Sequence, residues 1–304
     1  MTTLLSARDV RALADELDLR PTKQRGQNFV IDPNTVRMIV QAADLGDAPR
    51  TVAEIGPGLG SLTLGLLEAG HHVVAVEIDP VLAGRLPRTV AELHGDTTVR
   101  GGTAPEAPAA DGAPRQGASA AGFDLVHADA MDVTELPAAP SALVANLPYN
   151  VAVPVLLHFL ATFPTIDTVL VMVQLEVADR LAAAPGSRVY GVPSVKAQWY
   201  GEVTRAATIG KNVFWPAPNI DSGLVKIVLR ETPLGDEDLR VRVFSLVDAA
   251  FAQRRKMLRS ALKDRFGSAA AASEALAAAG IDPQARGETL TVHDFVRLAE
   301  VTVS

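Results

Sequence analysis

The stretch Glu54-Ile55-Gly56-Pro57-Gly58-Leu59-Gly60-Ser61-Leu62-Thr63 constrains this chain more than any other. It continues the strand-like Thr51-Val52-Ala53, and Leu62, Leu66 and Leu67 carry it on at helical spacing. Strand, glycine turn, helix is a nucleotide-binding arrangement in open α/β sheets, because glycines let backbone approach a ligand closely. The spacing is G-x-G-x-G, with Ser61 where the dinucleotide fingerprint has its last glycine. No G-x-x-x-x-G-K-[ST] phosphate loop is present. The next apolar run, Val73-Val74-Ala75-Val76, ends in Glu77-Ile78-Asp79, which places an acid at the end of the second strand to bind two ribose hydroxyls. The plainer alternative is a glycine turn that only packs helix on strand.

A second signal is Asn146-Leu147-Pro148-Tyr149, at the end of the apolar run Ala142-Leu143-Val144-Ala145. The carboxyl end of a strand is where open α/β sheets bind ligands. Asn146 offers a carbonyl acceptor and an amide donor. Leu147 precedes a proline, which pushes it toward an extended backbone and lets its carbonyl project beside that of Asn146. Two adjacent acceptors suit an exocyclic amine with two N–H donors. Tyr149 adds a face on which a base can stack, worth ~1–3 kcal/mol. A polar turn after a strand is the alternative for the tetrapeptide alone. Glycine turn, acid and tetrapeptide nevertheless fall in the order that resembles the S-adenosylmethionine (SAM) site of Rossmann-like methyltransferases.

Further motifs extend the likeness from about Thr22 to Leu298. They are Lys23-x-x-Gly26-Gln27-Asn28-Phe29, Gln174-x-Glu176-Val177-x-x-Arg180, Phe214-x-Pro216-x-Pro218-x-x-Asp221-Ser222 and Gln253-Arg254-Arg255-Lys256. With the glycine turn and Asn-Leu-Pro-Tyr, this set resembles the ribosomal RNA adenine N6,N6-dimethyltransferase family (KsgA/RsmA) of the small subunit. The resemblance implies that Asn28 and Val30 close over SAM, that Gly56 contacts it and that Glu77 holds its ribose. It places Asp129 on the cofactor adenine and Asn146 at the target amine. Gln27, Gly58, Ile78, Ala130 and again Asn146 complete the expected cofactor set, and Leu147, Pro148 and Tyr149 join Asn146 in the catalytic one. Val30 stands where the family usually has Leu, a mild departure that a main-chain contact survives. Phe214 is expected to cover the second face of the target base, with a core aromatic as the alternative. The implied substrate is 16S rRNA within the assembling 30S subunit, met by a cytoplasmic monomer. Two other functions stay open: methylation of a large-subunit adenine of the macrolide-resistance type, and a non-catalytic RNA-binding assembly or transcription factor.

Composition bounds these readings. The 304 residues carry a net charge of −7, which argues mildly against nucleic-acid binding. Distribution outweighs the sum. Arg254, Arg255, Lys256, Arg259, Lys263 and Arg265 cluster against only Asp264, and the first four are the expected RNA-binding residues, on a helix. Zero cysteines exclude disulfides and thiolate–metal sites. The six histidines lack paired ligand spacing, and His71-His72 reads as solvent-facing, so no metal is expected. No run reaches the ~18 apolar residues of a membrane span, and the start lacks a signal-peptide core.

The predicted fold is α/β, a Rossmann-like SAM-dependent methyltransferase sheet of seven mostly parallel strands with a small C-terminal all-helical domain. The strands are expected over 51–55, 72–78, 123–128, 142–147, 168–174, 202–209 and 223–229, after a first helix over 7–19 capped by Ser6. The catalytic domain spans 1–230 and the rRNA-binding helical domain 231–304. Residues 100–122, dense in Gly, Ala and Pro, read as a disordered insertion.

Overall fold

A computed structural model describes residues 2–19, 28–95, 99–103 and 122–301 of the chain. The first helix, α1 (Ala7–Glu16), starts in a capping box in which the Ser6 hydroxyl accepts from the Asp9 N–H and Asp9 accepts from the Ser6 N–H. It ends earlier than the apolar spacing predicts, because Asp18 turns into the left-handed region at φ 44°. Strand β1 (Phe29–Val30) leads to α2 (Pro33–Ala43), capped by Asp32 and opened by Pro33. Four repeats of strand and connection then build the sheet: β2 (Thr51–Ile55), α3 (Ser61–Glu68), β3 (His72–Glu77), α4 (Pro80–His94), β4 (Val99–Thr103), β5 (Phe123–His127) and β6 (Ala142–Asn146). They are followed by α5 (Ala152–Thr162), β7 (Thr168–Gln174), α6 (Leu175–Leu181), α7 (Val192–Tyr200), β8 (Gly201–Ile209), β9 (Phe214–Trp215) and β10 (Ser222–Leu229). The chain closes with α8 (Glu237–Ala252), α9 (Leu258–Ala261), α10 (Lys263–Phe266), α11 (Ala269–Ala278) and α12 (Val292–Val301).

The main sheet has the order β4-β5-β3-β2-β6-β7-β10-β8. From β4 to β7 in this order the strands pair in parallel, and the central β2, β3, β6 and β7 are near-continuous apolar runs because strands so placed are buried on both faces. All seven expected strands form, within a residue at each end. The eighth, β4, comes from the stretch read as the start of the insertion. Its glycines have little strand propensity, but Val99–Thr103 pairs in register with the already ordered Phe123–His127. The rest of that stretch, 104–121, lies outside the described residues. A separate two-stranded sheet pairs β1 with β9, Phe29 opposite Trp215 and Val30 opposite Phe214. Two-residue strands leave no periodic trace in sequence.

His71 also departs from expectation. It is buried, and its Nδ1 accepts the Arg50 backbone N–H at 3.3 Å. Burial, with the Arg50 charge added, lowers its pKa. His72 Nε2 lies 2.8 Å from Asp124 Oδ2. Among the described residues no helix is long and apolar enough to cross a membrane.

The chain divides into two compact units, Met1–Ala178 with Arg205–Lys226, and Asp179–Thr204 with Ile227–Ser304. The first holds the sheet core of Val52, Val73, Ala75, Leu143 and their neighbours. The second has its own core, where Val243, Leu246 and Val247 of α8 gather with Phe295 and Leu298 of α12. Trp199 of α7 meets Phe244 edge-on at 6.2 Å within that unit. Residues 179–204 thus belong with the C-terminal helices, whereas the sequence reading keeps them in the catalytic domain.

Candidate functional site

Strand order reverses at β2, whose neighbours β3 and β6 are reached in opposite directions. That is the switch point at which open α/β sheets form a crevice beyond the strand carboxyl ends. A cavity of about 530 Å³ lies there, within the usual range for small-molecule sites. Its lining includes Asn28, Val30, Gly56, Gly58, Glu77 and Ile78 from the expected cofactor set. Asp129, Ala130, Asn146, Leu147, Pro148 and Tyr149 line it as well. Gln27 lies outside the described residues.

The glycine turn is shaped by three positive φ angles, +65° at Gly56, +60° at Gly58 and +97° at Gly60. At Gly58 space is also decisive: a Cβ would sit 2.8 Å from Phe29 Cε1. The turn is tied to Glu77, which is only 5 % exposed. One Glu77 oxygen accepts the Gly58 N–H at 3.1 Å and the other the Asp79 N–H at 2.9 Å. Burial pushes the Glu77 carboxyl up, and these backbone bonds oppose the shift. Asp79 then caps α4 by accepting the Val81 N–H at 2.9 Å.

Asn146 ends β6 with its amide fixed. Its Nδ2 donates to the Asn28 carbonyl at 3.0 Å. A carbonyl can only accept, so this contact settles which end of the amide is the donor and makes Oδ1 the acceptor end. The Leu147 side chain is buried, and its N–H donates to the Met172 carbonyl at 3.1 Å. Tyr149 is half-buried, its hydroxyl 3.3 Å from Ser222 Oγ, and burial raises its pKa. The segment carrying Asn28 is pinned again by Ser61 Oγ, which donates to the Val30 carbonyl at 2.7 Å. On the far wall, Asp129 accepts the Met131 N–H at 2.9 Å. Ile78, 61 % exposed, and Met131 present apolar surface at the mouth.

Phe214 is a correction. It is 3 % exposed, sits in the core opposite Val30 and does not line the cavity. Pairing with β1 turns its side chain inward, so the core-aromatic alternative holds. The basic run also differs from the helix expected of it. Helix α8 stops at Ala252, and residues 253–256 form a turn in which the Lys256 N–H donates to the Gln253 carbonyl at 2.8 Å. Arg254 is engaged inside its own unit, Nε to Glu288 Oε2 at 2.8 Å and Nη2 to the Arg188 carbonyl at 2.6 Å. Arg255, Lys256 and Arg259 are exposed.

Sequence reasoning assigns no role to Glu54, Met131 or the main chain of Asn28. For Glu54 a signal exists: an acid inside the apolar run Val52–Ile55 is a charge in a strand buried on both faces.

Comparison with known proteins bears on this site. The profile of the ribosomal RNA adenine dimethylase family matches residues 19–101 and 119–303. A Streptomyces coelicolor protein named ribosomal RNA small subunit methyltransferase A is 62 % identical over 298 residues, covering 98 % of this chain and 96 % of its own. A protein of the same name from Corynebacterium diphtheriae is 57 % identical over 307 residues, covering 99 % and 96 %. Two solved structures share the fold: a Plasmodium falciparum dimethyladenosine transferase (TM-score 0.68, 20 % identity, 88 % of this chain and 94 % of that one) and the 23S rRNA methyltransferase ErmE (TM-score 0.61, 24 % identity, 91 % and 100 %). Matched by the family profile over most of its length and by these relatives almost end to end, the chain belongs to the ribosomal RNA adenine dimethylase family.

Proposed function

We propose that the chain binds SAM in the cavity at the switch point and transfers methyl groups to N6 of two adjacent adenines in the 3′-terminal hairpin loop of small-subunit rRNA. The product is N6,N6-dimethyladenosine, made on the assembling 30S particle by a cytoplasmic monomer. The observation that carries this reading is the Asn146 amide, locked by the Asn28 carbonyl with its oxygen as the acceptor end. The cavity fits the cofactor: the Gly58 cradle has no room for a Cβ, and a buried Glu77 carboxylate stands at the strand end where ribose hydroxyls are held. Ile78 and Met131 offer apolar contact for the adenine beside Asp129 and Ala130.

Bound SAM supplies a methyl group already activated on a sulfonium. The chain's own part is positioning and electrostatics. Asn146 Oδ1 and the Leu147 carbonyl accept the two N6–H groups, which favours a more pyramidal nitrogen and directs its lone pair. Tyr149 takes one face of the base, which must leave its stack to enter. The small-subunit reading is preferred over the large-subunit one because relatives at 57–62 % identity carry the small-subunit name, while ErmE shares the fold alone.

Asn146→Ala tests this. SAM affinity measured by calorimetry is expected to stay near wild type, and methyl incorporation into unmethylated 30S subunits to fall by ~10²-fold or more. Near-normal turnover would sink the paired-acceptor mechanism.

A further inference from the structure

Among the described residues five titratable side chains line the cavity, namely Glu54, Glu77, Asp79, Asp129 and Tyr149, and no lysine, arginine or histidine does. Three of the four acids have structural bonds that account for them. Glu77 accepts two backbone N–H groups, Asp79 caps α4, and Asp129 is exposed and accepts the Met131 N–H. Glu54 differs. It is 1 % exposed, and among the described residues Thr63 alone holds it, its Oγ1 donating at 2.6 Å and its backbone N–H adding a weaker bond. Burial pushes its carboxyl up to about 8, the Thr63 bond opposing and the neighbouring Glu77 adding to the rise. At neutral pH Glu54 is therefore largely protonated in the ligand-free cavity. From the adjoining strand β6 and helix α3, Asn146, Ser61 and Leu62 line the cavity and Thr63 bonds to Glu54, none of them charged.

A buried acid on the wall of a ligand cavity, with no basic neighbour among the described residues, is a site for a cation supplied by the ligand. We infer that Glu54 is the countercharge by which the site tells the cationic cofactor from its neutral thioether product, ionising on cofactor binding and taking its proton back once the methyl group has left. The inference rests on reading this cavity as the SAM site. SAM carries a sulfonium, an ammonium and a carboxylate; S-adenosylhomocysteine lacks the sulfonium charge. One proton passes from Glu54 to solvent on cofactor binding and one returns after transfer. Because the free state must lose a proton, cofactor affinity rises with pH by up to about tenfold per unit and levels off near the free carboxyl's pKa. Turnover then weakens the hold on the product, which aids its release.

The experiment is calorimetric titration of SAM and of S-adenosylhomocysteine from pH 6.5 to 9, in buffers of unequal ionisation heat. The wild-type protein is expected to release close to one proton with SAM at pH 7 and markedly less with the thioether. Glu54→Gln, which keeps a side-chain carbonyl for Thr63, should release none and lose about tenfold in SAM affinity at high pH, with thioether affinity little changed. Thr63→Val, which removes the Thr63 hydroxyl donor and keeps its backbone N–H, should move the break in the pH profile upward with Glu54 in place. Equal proton release for both ligands, or release that persists in Glu54→Gln, overturns the inference and leaves the cavity assignment standing. Failure of the wild-type protein to bind SAM overturns both.

Discussion

Glu77 joins two jobs in one carboxylate. The Gly58 and Asp79 N–H groups that hold it also fix the glycine turn and the start of α4, so the acid reaches the cavity already oriented. Glu77→Ala is therefore expected to weaken SAM by ~1.5–3 kcal/mol for each charge-assisted bond lost, at least a tenfold rise in Kd by calorimetry. Unchanged affinity would remove Glu77 from the ribose site. At this scale the sequence is legible where chemistry and strand position coincide. Glu77 and Asn146 stand out because polar residues end apolar runs. Asn28 does not, since the atom it contributes is a carbonyl that every residue has. Phe214 misleads because its inward direction is set by a two-residue pairing with Val30.

Among the elements, the turn between α8 and α9 separates residues that a charge pattern merges. Arg254 is held by Glu288, whose carbonyl also accepts the Gly186 N–H at 2.7 Å, so this arginine staples two loops of its unit. Arg255 and Lys256 point to solvent from the same turn. Reversing Arg255 and Lys256 together is expected to weaken binding to pre-30S particles and to flatten the log-affinity against log-salt slope by ~0.7–0.9 per lost phosphate contact. SAM affinity should be unchanged. An unaltered salt slope would leave the turn without a role in RNA docking. Strand β4 carries the complementary lesson. Composition reports what a segment cannot bury by itself, and Val99–Thr103 is ordered by its neighbour β5.

Seen as a whole, the molecule places an acid where its stability suffers. Glu54 has a carboxyl near 8 in the folded chain against an ordinary value of 4.5. A raised folded-state pKa gives stability that is complete below the unfolded value and is lost as pH climbs through the folded one. The ligand-free protein should thus lose up to ~1.4 kcal/mol per pH unit from this group between about pH 4.5 and 8. Glu54→Gln has no such dependence, so its melting temperature should pull ahead of wild type across that window and keep a constant lead above it. A lead that does not change with pH would show that Glu54 is ionised in the empty cavity. The seven strands and the helical C-terminal unit are legible at this scale because parallel strands and amphipathic helices leave distinct periods. That residues 179–204 join the second unit is not, since only packing such as Trp199 on Phe244 decides it.

The bond between Asn28 and Asn146 spans 118 positions of sequence and depends on a single atom of residue 146 being a donor. Slow hydrolysis of asparagine to aspartate, an ordinary form of protein ageing, would replace that donor with an oxygen. Two oxygens would then face each other where a hydrogen bond now runs, and the repulsion would fall on the segment that Ser61 anchors at Val30. Asn146→Asp should accordingly be worse than Asn146→Ala, losing SAM affinity as well as turnover and exposing the chain near residue 30 to limited proteolysis. A molecule damaged at that one atom would disable itself rather than methylate inaccurately.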